Sequence, residues 1–403
     1  MNLLKTNSSF RYLLLFSITL FSINQFFLLA LINITENTQN PSSTLGSAMT
    51  LLTISKIVIL PISGYLVDYF KEKKILFFSS IVFVLFFLIV FWQSSFIDYS
   101  VKDIYFYAIV SGIILGMTQP STLSIIPKII QSNQHSEANS LFQTSSQLSQ
   151  FISPSIAGFF IGNLSKSSYY LIIIFLSLFC LYFSIKMNVN YTTDFRRPVH
   201  TNKTSIAEYR IILQNSSIIS LLLLTAIINF STSGSLQVAL PMFVNHELNQ
   251  NTSTYGYFIS IYGFGSFIGS FGSILFKKKH ETLSLLLIFS AYFGFIWMII
   301  LQCLNLFFVI TLLLLSGIFI GMINVLYMSV LQNSTPEHLF GRVTSVQLFF
   351  STVLTPVSFF ITGKLTSLYS ASTIFSIAGL LIIFIVVFIS ILNKSNQYKS
   401  SNH

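Results

Sequence analysis

The sequence predicts an all-α membrane protein with twelve transmembrane helices in two pseudo-symmetric six-helix bundles. Three observations predict it. Charged residues make up only 8% of the 403-residue chain, against about 25% in a soluble domain. So few charges cannot cover a water-facing surface of this size. Hydrophobic residues make up 53%, and they gather into twelve runs, each near the roughly 20 residues that a helix needs to cross a bilayer. The basic residues fall between the runs, and on one side. With both termini inside, the outer loops hold only Lys102, Lys166 and Lys364, Lys56 lies within a run, and the other seventeen of the 21 Lys and Arg lie inside. This is the asymmetry of the positive-inside rule. It accounts for the net charge of +10 without a nucleic-acid partner.

The runs cover approximately 10–34, 45–69, 74–94, 103–127, 137–162, 168–187, 216–243, 254–276, 283–302, 304–331, 343–363 and 371–393. The first follows Lys5 and Arg11. It is longer than a signal h-region of about 7–15 residues and lacks a small-residue cleavage site, so it reads as a retained helix. The second and third are split by the basic stretch 71–74 and the eighth and ninth by Lys277–Lys279. The weakest breaks lie near Gln302–Asn305 and Lys364–Ser370. The longest polar stretch, 188–215, carries Arg196, Arg197, Lys203 and Arg210 and divides the runs six and six. The expected organisation is therefore a bundle over 1–187, a cytoplasmic linker over 188–215, a second bundle over 216–393 and a cytoplasmic tail over 394–403. The halves repeat weakly. EANSLFQ (137–143) is similar to GRVTSVQ (341–347), and SPSIAGFF (153–160) to TPVSFFITG (355–363). Gly64 before one basic loop parallels Gly272 before the other. Offsets of 204, 202 and 208 residues point to duplicated six-helix units, a feature of many secondary transporters. The two cysteines, Cys180 and Cys303, lie in apolar stretches and read as small buried hydrophobes.

The segment GYLVDYFKEKKIL (64–76) carries Gly64, Leu66, Asp68, Lys73 and Lys74 in the spacing of the loop between helices 2 and 3 of the major facilitator superfamily, which the chain resembles. Phe70 and Lys71 stand where that family has a glycine. Gly64 is expected to allow close helix approach. The resemblance implies that Asp68 meets the start of helix 11 at Gly341–Arg342, where the helix dipole favours an anion. PSTLSIIPKIIQSNQHSEANSLFQ (120–143) and TPEHLFGRVTSV (335–346) look like the macrolide-efflux branch, which also holds siderophore and metallophore exporters. SQFISPSIAG (149–158) is similar to a Gly- and Pro-rich motif in helix 5 of exporters, with Pro154 and Gly158 in register. Helix 8 carries a G-x-x-x-G at Gly265 and Gly269, read as packing inside one bundle rather than oligomerisation.

Transport chemistry is expected near the midplane, between the halves. One ionisable residue lies there: Lys56, among Ile54, Ile57 and Val58. A charge at that depth costs about 2.5–3.5 kcal/mol on insertion scales, so it faces a cavity or a partner. It reads either as a site for an acidic group on the substrate, or as a structural bond to helix 11 or a snorkelling side chain. Asn24, Gln25, Gln119, Gln143, Gln147, Asn229, Asn324, Tyr327 and Gln347 are the other polar candidates within spans, and the resemblance implies that their helices line the cavity. Asp68, Glu137 and Glu36 lie near helix ends, and all six histidines fall in loops or the tail. Without an intramembrane acid, a cationic-drug pump is less favoured. No constellation of nucleophile, carboxylate or metal ligand suggests an intramembrane enzyme, and no cofactor is expected. The resemblance implies a monomeric secondary active exporter of a small organic molecule in a bacterial cytoplasmic membrane, driven by protons in antiport. An anionic metallophore is favoured, with macrolide or multidrug efflux as the alternative. Its expected gating residues are Gly64, Asp68, Lys73, Lys74, Pro154, Gly158, Gly341 and Arg342.

Overall fold

A computed structural model describes residues 3, 7–96, 99–131, 134–189, 216–273, 282–336 and 339–401. The described residues form twelve helices and no strand. The first six are α1 Ser8–Thr35, α2 Pro41–Tyr69, α3 Glu72–Phe96, α4 Val101–Ile129, α5 His135–Asn163 and α6 Lys166–Lys186. α7 begins as the α-helix Ser216–Gly234, and continues through π-helical Ser235–Ala239, α-helical Leu240–Met242 and π-helical Phe243–Glu247. Then come α8 Thr252–Gly272, α9 Thr282–Ile299, α10 Leu306–Ser334, α11 Phe340–Thr366 and α12 Ala371–Ser401. The expected linker 188–215 and the basic stretch Lys277–Lys279 lie almost wholly outside the described residues.

Local chemistry sets the boundaries. Pro41 starts α2 earlier than its apolar run, because a proline at the first helical position gives up only an N–H that has no partner there. Ser100 and Asp103 form a reciprocal capping box on α4. The two weakest breaks are both built. Asn305 caps α10, its side chain accepting from the N–H groups of Phe307 and Phe308. The Glu247 carboxylate at the end of α7 accepts from Ala371 N–H at the start of α12, at 2.7 Å.

Among the described residues nine helices are long and apolar enough to cross a membrane, and α9 is a shorter apolar helix. The two that remain, α5 and α8, are the ones rich in Ser, Gln and Gly. Exposure follows the helical repeat. α3 exposes Phe78, Val82, Leu85, Ile89 and Trp92 while burying Phe83, Phe86, Phe87 and Val90. An exposed stripe this apolar on a helix buried along its other face is the lipid-facing pattern, and it would be an aggregation liability in water.

The chain divides into two compact units, one comprising residues 1–195 and 250–260, the other 196–249 and 261–403. In unit 1, α4 lies against α2 through Gly112 and Gly116. A Cβ on Gly112 would stand 2.2 Å from Leu52 O, and one on Gly116 2.8 Å from Lys56 O. α1 meets α5 through the Ser22–Ser153 hydroxyl pair at 2.8 Å, and α6 through Tyr169, whose hydroxyl donates to Phe26 O at 2.8 Å. In unit 2, Gly265 and Gly269 of α8 face Gly317 and Ile318 of α10 with no room for a Cβ. Gly294 of α9 and Gly379 of α12 meet in the same way, beside a cluster of Phe293, Trp297 and Phe375. Small residues replace the hydrophobic effect as the packing device here, because lipid tails are as apolar as the side chains themselves.

Candidate functional site

Unit 2 brings the polar candidates of the second half together. They line a cavity of about 280 Å³ between three helices. α7 contributes Leu224, Thr225, Ile228 and Asn229, α10 contributes Ile323, Asn324 and Tyr327, and α11 contributes Gln347, Leu348 and Ser351. Helical spacing puts each set on one face. Thr225 and Ser351 were missed in the sequence, although each stands four residues from a candidate, Asn229 and Gln347. A one-turn search around each amide finds both.

The polar groups of this cavity are uncharged and incompletely bonded. Asn229 Nδ2 donates to Thr225 O of its own helix at 2.9 Å, which leaves Oδ1 without a partner among the described residues. The hydroxyls of Tyr327 and Ser351 are buried without a hydrogen-bond partner. The Tyr327 hydroxyl lies beside Thr225 without reaching hydrogen-bond geometry. The side-chain amides of Asn324 and Gln347 likewise have no partner among the described residues. A buried hydroxyl left unbonded costs about 1–3 kcal/mol, so the arrangement is one that a ligand with hydrogen-bonding groups completes.

Unit 1 holds the charge. Lys56 sits at the middle of α2, and its main chain is fixed by the close approach of Gly116. Its side chain is half-buried, with no hydrogen bond or ion pair among the described residues. Asn24 and Gln25 are half-buried on α1. Gln119 of α4 and Gln143 and Gln147 of α5 are exposed. A small cavity in this unit, about 30 Å³ beside Asn33, Lys166, Tyr169 and Tyr170, involves none of them.

The expected gating residues are dispersed. The close approach expected at Gly64 is not present: among the described residues nothing lies within 4 Å of where its Cβ would stand. The approaches that bind α2 are made at Lys56 and one turn before it, at Leu52, by the glycines of α4, a G-x-x-x-G at 112–116 that sequence reading passed over. Asp68 lies in the last turn of α2, and Gly341 and Arg342 in the first turn of α11. The side chains at these three positions lie outside the described residues. Lys73 donates to Ile185 O at 3.0 Å, placing a cation on the C-terminal end of α6, where the helix dipole favours it. Lys74 is exposed. Pro154 and Gly158 lie against the first turns of α8, which belong to unit 1. A Cβ on Gly158 would stand 2.8 Å from Ser253 O, and one on Gly256 2.4 Å from Pro154 O. Ser155 N–H donates to Ser260 Oγ across the same seam, at 3.0 Å.

One charged pair was not foreseen. Glu72, 2% exposed at the start of α3, forms an ion pair with Lys128 in the last turn of α4. Its second oxygen is buried without a partner. The partners are 56 residues apart and no local pattern links them.

A family model described as Major Facilitator Superfamily matches residues 13–359. Among solved structures, the chain is similar to the nucleoside transporter NupG, with a TM-score of 0.75, 9% identity, and 95% of this chain and 99% of that chain covered. It is similar to the peptide transporter POT, with a TM-score of 0.73, 10% identity, and 96% and 95% covered. It is also similar to a bacterial homologue of the iron transporter ferroportin, with a TM-score of 0.71, 15% identity, and 95% and 98% covered. At these identities the likeness is one of fold. No curated protein sequence matches the chain. The family match runs over most of the twelve helices, so the chain belongs to the major facilitator superfamily and is a multi-pass membrane transporter, not an enzyme.

Proposed function

We propose that this transporter exports a small organic acid bearing several neutral hydrogen-bonding groups, with a carboxylate-rich metallophore as the sharpest version. The observation that carries the proposal is Lys56, a half-buried lysine at the centre of an apolar helix with no partner among the described residues. A charge at that depth is costly and is retained where something arrives to meet it. The uncharged cavity of unit 2 supports the neutral half of the proposal, because unbonded amides and hydroxyls suit the carbonyl, amide and hydroxyl groups of such a molecule. Export rests on the resemblance of 120–143, 149–158 and 335–346 to exporter motifs. Proton antiport across a bacterial cytoplasmic membrane, with both termini inside and the chain acting as a monomer of two six-helix bundles, completes the proposal.

The test compares metabolites of a deletion strain and its parent, grown with and without iron and complemented by wild type or Lys56→Ala. The expected result is a metal-chelating acid that accumulates inside the mutant, is depleted outside, and is restored by wild type but not by Lys56→Ala. Equal export by Lys56→Ala overturns the role of the lysine. No change in any chelating acid overturns the metallophore version. The second proposal, macrolide or multidrug efflux, is favoured by the apolar share of the same cavity, Leu224, Ile228, Ile323 and Leu348. Antibiotic sensitivity of the deletion strain reads it directly.

A further inference from the structure

One hydroxyl in unit 2 occupies an unusual position. Ser358 of α11 is 1% exposed. Its Oγ accepts from Gly234 N–H at 2.9 Å and donates to Phe230 O at 2.5 Å. Those two groups are the donor and acceptor of a single i→i−4 rung of α7. A side chain of one helix has thus entered the hydrogen-bond ladder of another, an identifiable cause of helix distortion. The distortion is present, since α7 changes from α- to π-helix at the next residue, Ser235, and such π segments collect at functional sites. The entry needs a glycine. A Cβ on Gly234 would stand 2.6 Å from Ser358 Oγ and 2.1 Å from Thr362 Oγ1.

The place of this insertion gives it a consequence. Phe230 follows Asn229, which lines the cavity, and Ser358 lies two turns beyond Ser351 on the opposite wall. α7 and α11 thus flank the cavity at Asn229 and Ser351, and next to it the Ser358 hydroxyl bonds one helix to the other. We infer that Ser358 is a positioning residue: by bonding both halves of the Phe230–Gly234 rung it clamps α7 to α11 and sets the width of the cavity between Asn229 and Ser351. The inference rests on that cavity being where the substrate's neutral groups sit.

The test reads cavity geometry without substrate. Ile228→Cys, in a Cys303→Ser background, places a thiol in the α7 wall. Its alkylation rate by N-ethylmaleimide is measured for the purified transporter in lipid nanodiscs. Cys180 is buried and serves as the internal standard. Ser358→Ala removes the clamp from α11, and Gly234→Ala displaces the same hydroxyl from the α7 side. Each is expected to raise the rate by about threefold, the usual effect of one hydrogen bond lost within a membrane protein, without moving the unfolding temperature by more than a few degrees. The double variant is expected to react no faster than the quicker single one, because both changes break the same contact. A wild-type rate in Ser358→Ala overturns the inference, as do two effects that multiply. Neither result bears on what is transported, which the metabolite comparison decides separately.

Discussion

Replacing Gly112 by alanine tests the packing that holds Lys56 in place. The added Cβ would stand 2.2 Å from Leu52 O and 3.0 Å from Ser55 Cβ, whereas ordinary contact begins at 3.4 Å. The carbonyl is main chain of α2 and cannot rotate away, so α2 and α4 must separate by about 1.2 Å, the difference between 2.2 and 3.4 Å. Overpacking of this kind costs about 1–3 kcal/mol. Alanine also gains about 1 kcal/mol of helix propensity here, which leaves a net cost of up to about 2 kcal/mol. With about 2.1 cal/mol/K of unfolding entropy per residue, 403 residues correspond to about 0.85 kcal/mol per kelvin, and the expected fall in unfolding temperature is up to about 2 K. Gly64→Ala on α2 is the matched control. Nothing lies within 4 Å of its Cβ position, and alanine gains about 1 kcal/mol of helix propensity over glycine, so its unfolding temperature rises by about 1 K. Both variants are followed by thermal unfolding in the same detergent. If they unfold together, or if Gly64→Ala is the less stable, the contact geometry between α2 and α4 is wrong. The inferred fixing of Lys56 then falls with it.

Three further outcomes are expected. Lys56→Ala, in cells exporting an acidic substrate, raises the half-saturating concentration by about thirtyfold or more, as removal of a buried charge partner costs about 2–5 kcal/mol, while Lys56→Arg retains most transport. Tyr327→Phe, by direct binding measurement with the same substrate, weakens affinity by about threefold through one lost hydrogen bond, and raises the unfolding temperature of the unliganded protein slightly, because the buried hydroxyl it removes has no partner there. Glu72→Gln lowers the unfolding temperature, and Lys128→Ala added to it lowers it little more, since the two changes break one ion pair.

The fold was legible in the sequence because a bilayer imposes a length and a charge rule that a chain cannot disguise. Twelve apolar runs became twelve helices. Even the breaks at Gln302–Asn305 and Lys364–Ser370 held, since Asn305 and Glu247 supply partners for the N–H groups of the helices that follow. The lining of the unit 2 cavity was legible in part. In the second half, a polar residue within an apolar run is rare enough to stand out, and Asn229, Asn324, Tyr327 and Gln347 do line one cavity. In the first half, Gln119 and Gln147 stand exposed on α4 and α5, and polarity within a run does not by itself say which way a helix face points. Gly64 was chosen for its motif, while the glycines in contact are Gly112 and Gly116.

Composition, run length and loop charge alone determined that this chain crosses a membrane many times through helices, because every backbone polar group within lipid must be satisfied inside its own segment. Lys56 stood out for the same reason, a charge being conspicuous where charges are costly. What only the tertiary structure decided are the relations between distant segments. These are the glycines that set helix spacing, the Glu72–Lys128 pair across 56 residues, and the Ser358 hydroxyl lodged in the ladder of a helix 124 residues away. Each depends on the rotation and separation of neighbouring helices. Those follow from the shapes of both surfaces in contact, and the periodicity of either helix by itself does not contain them.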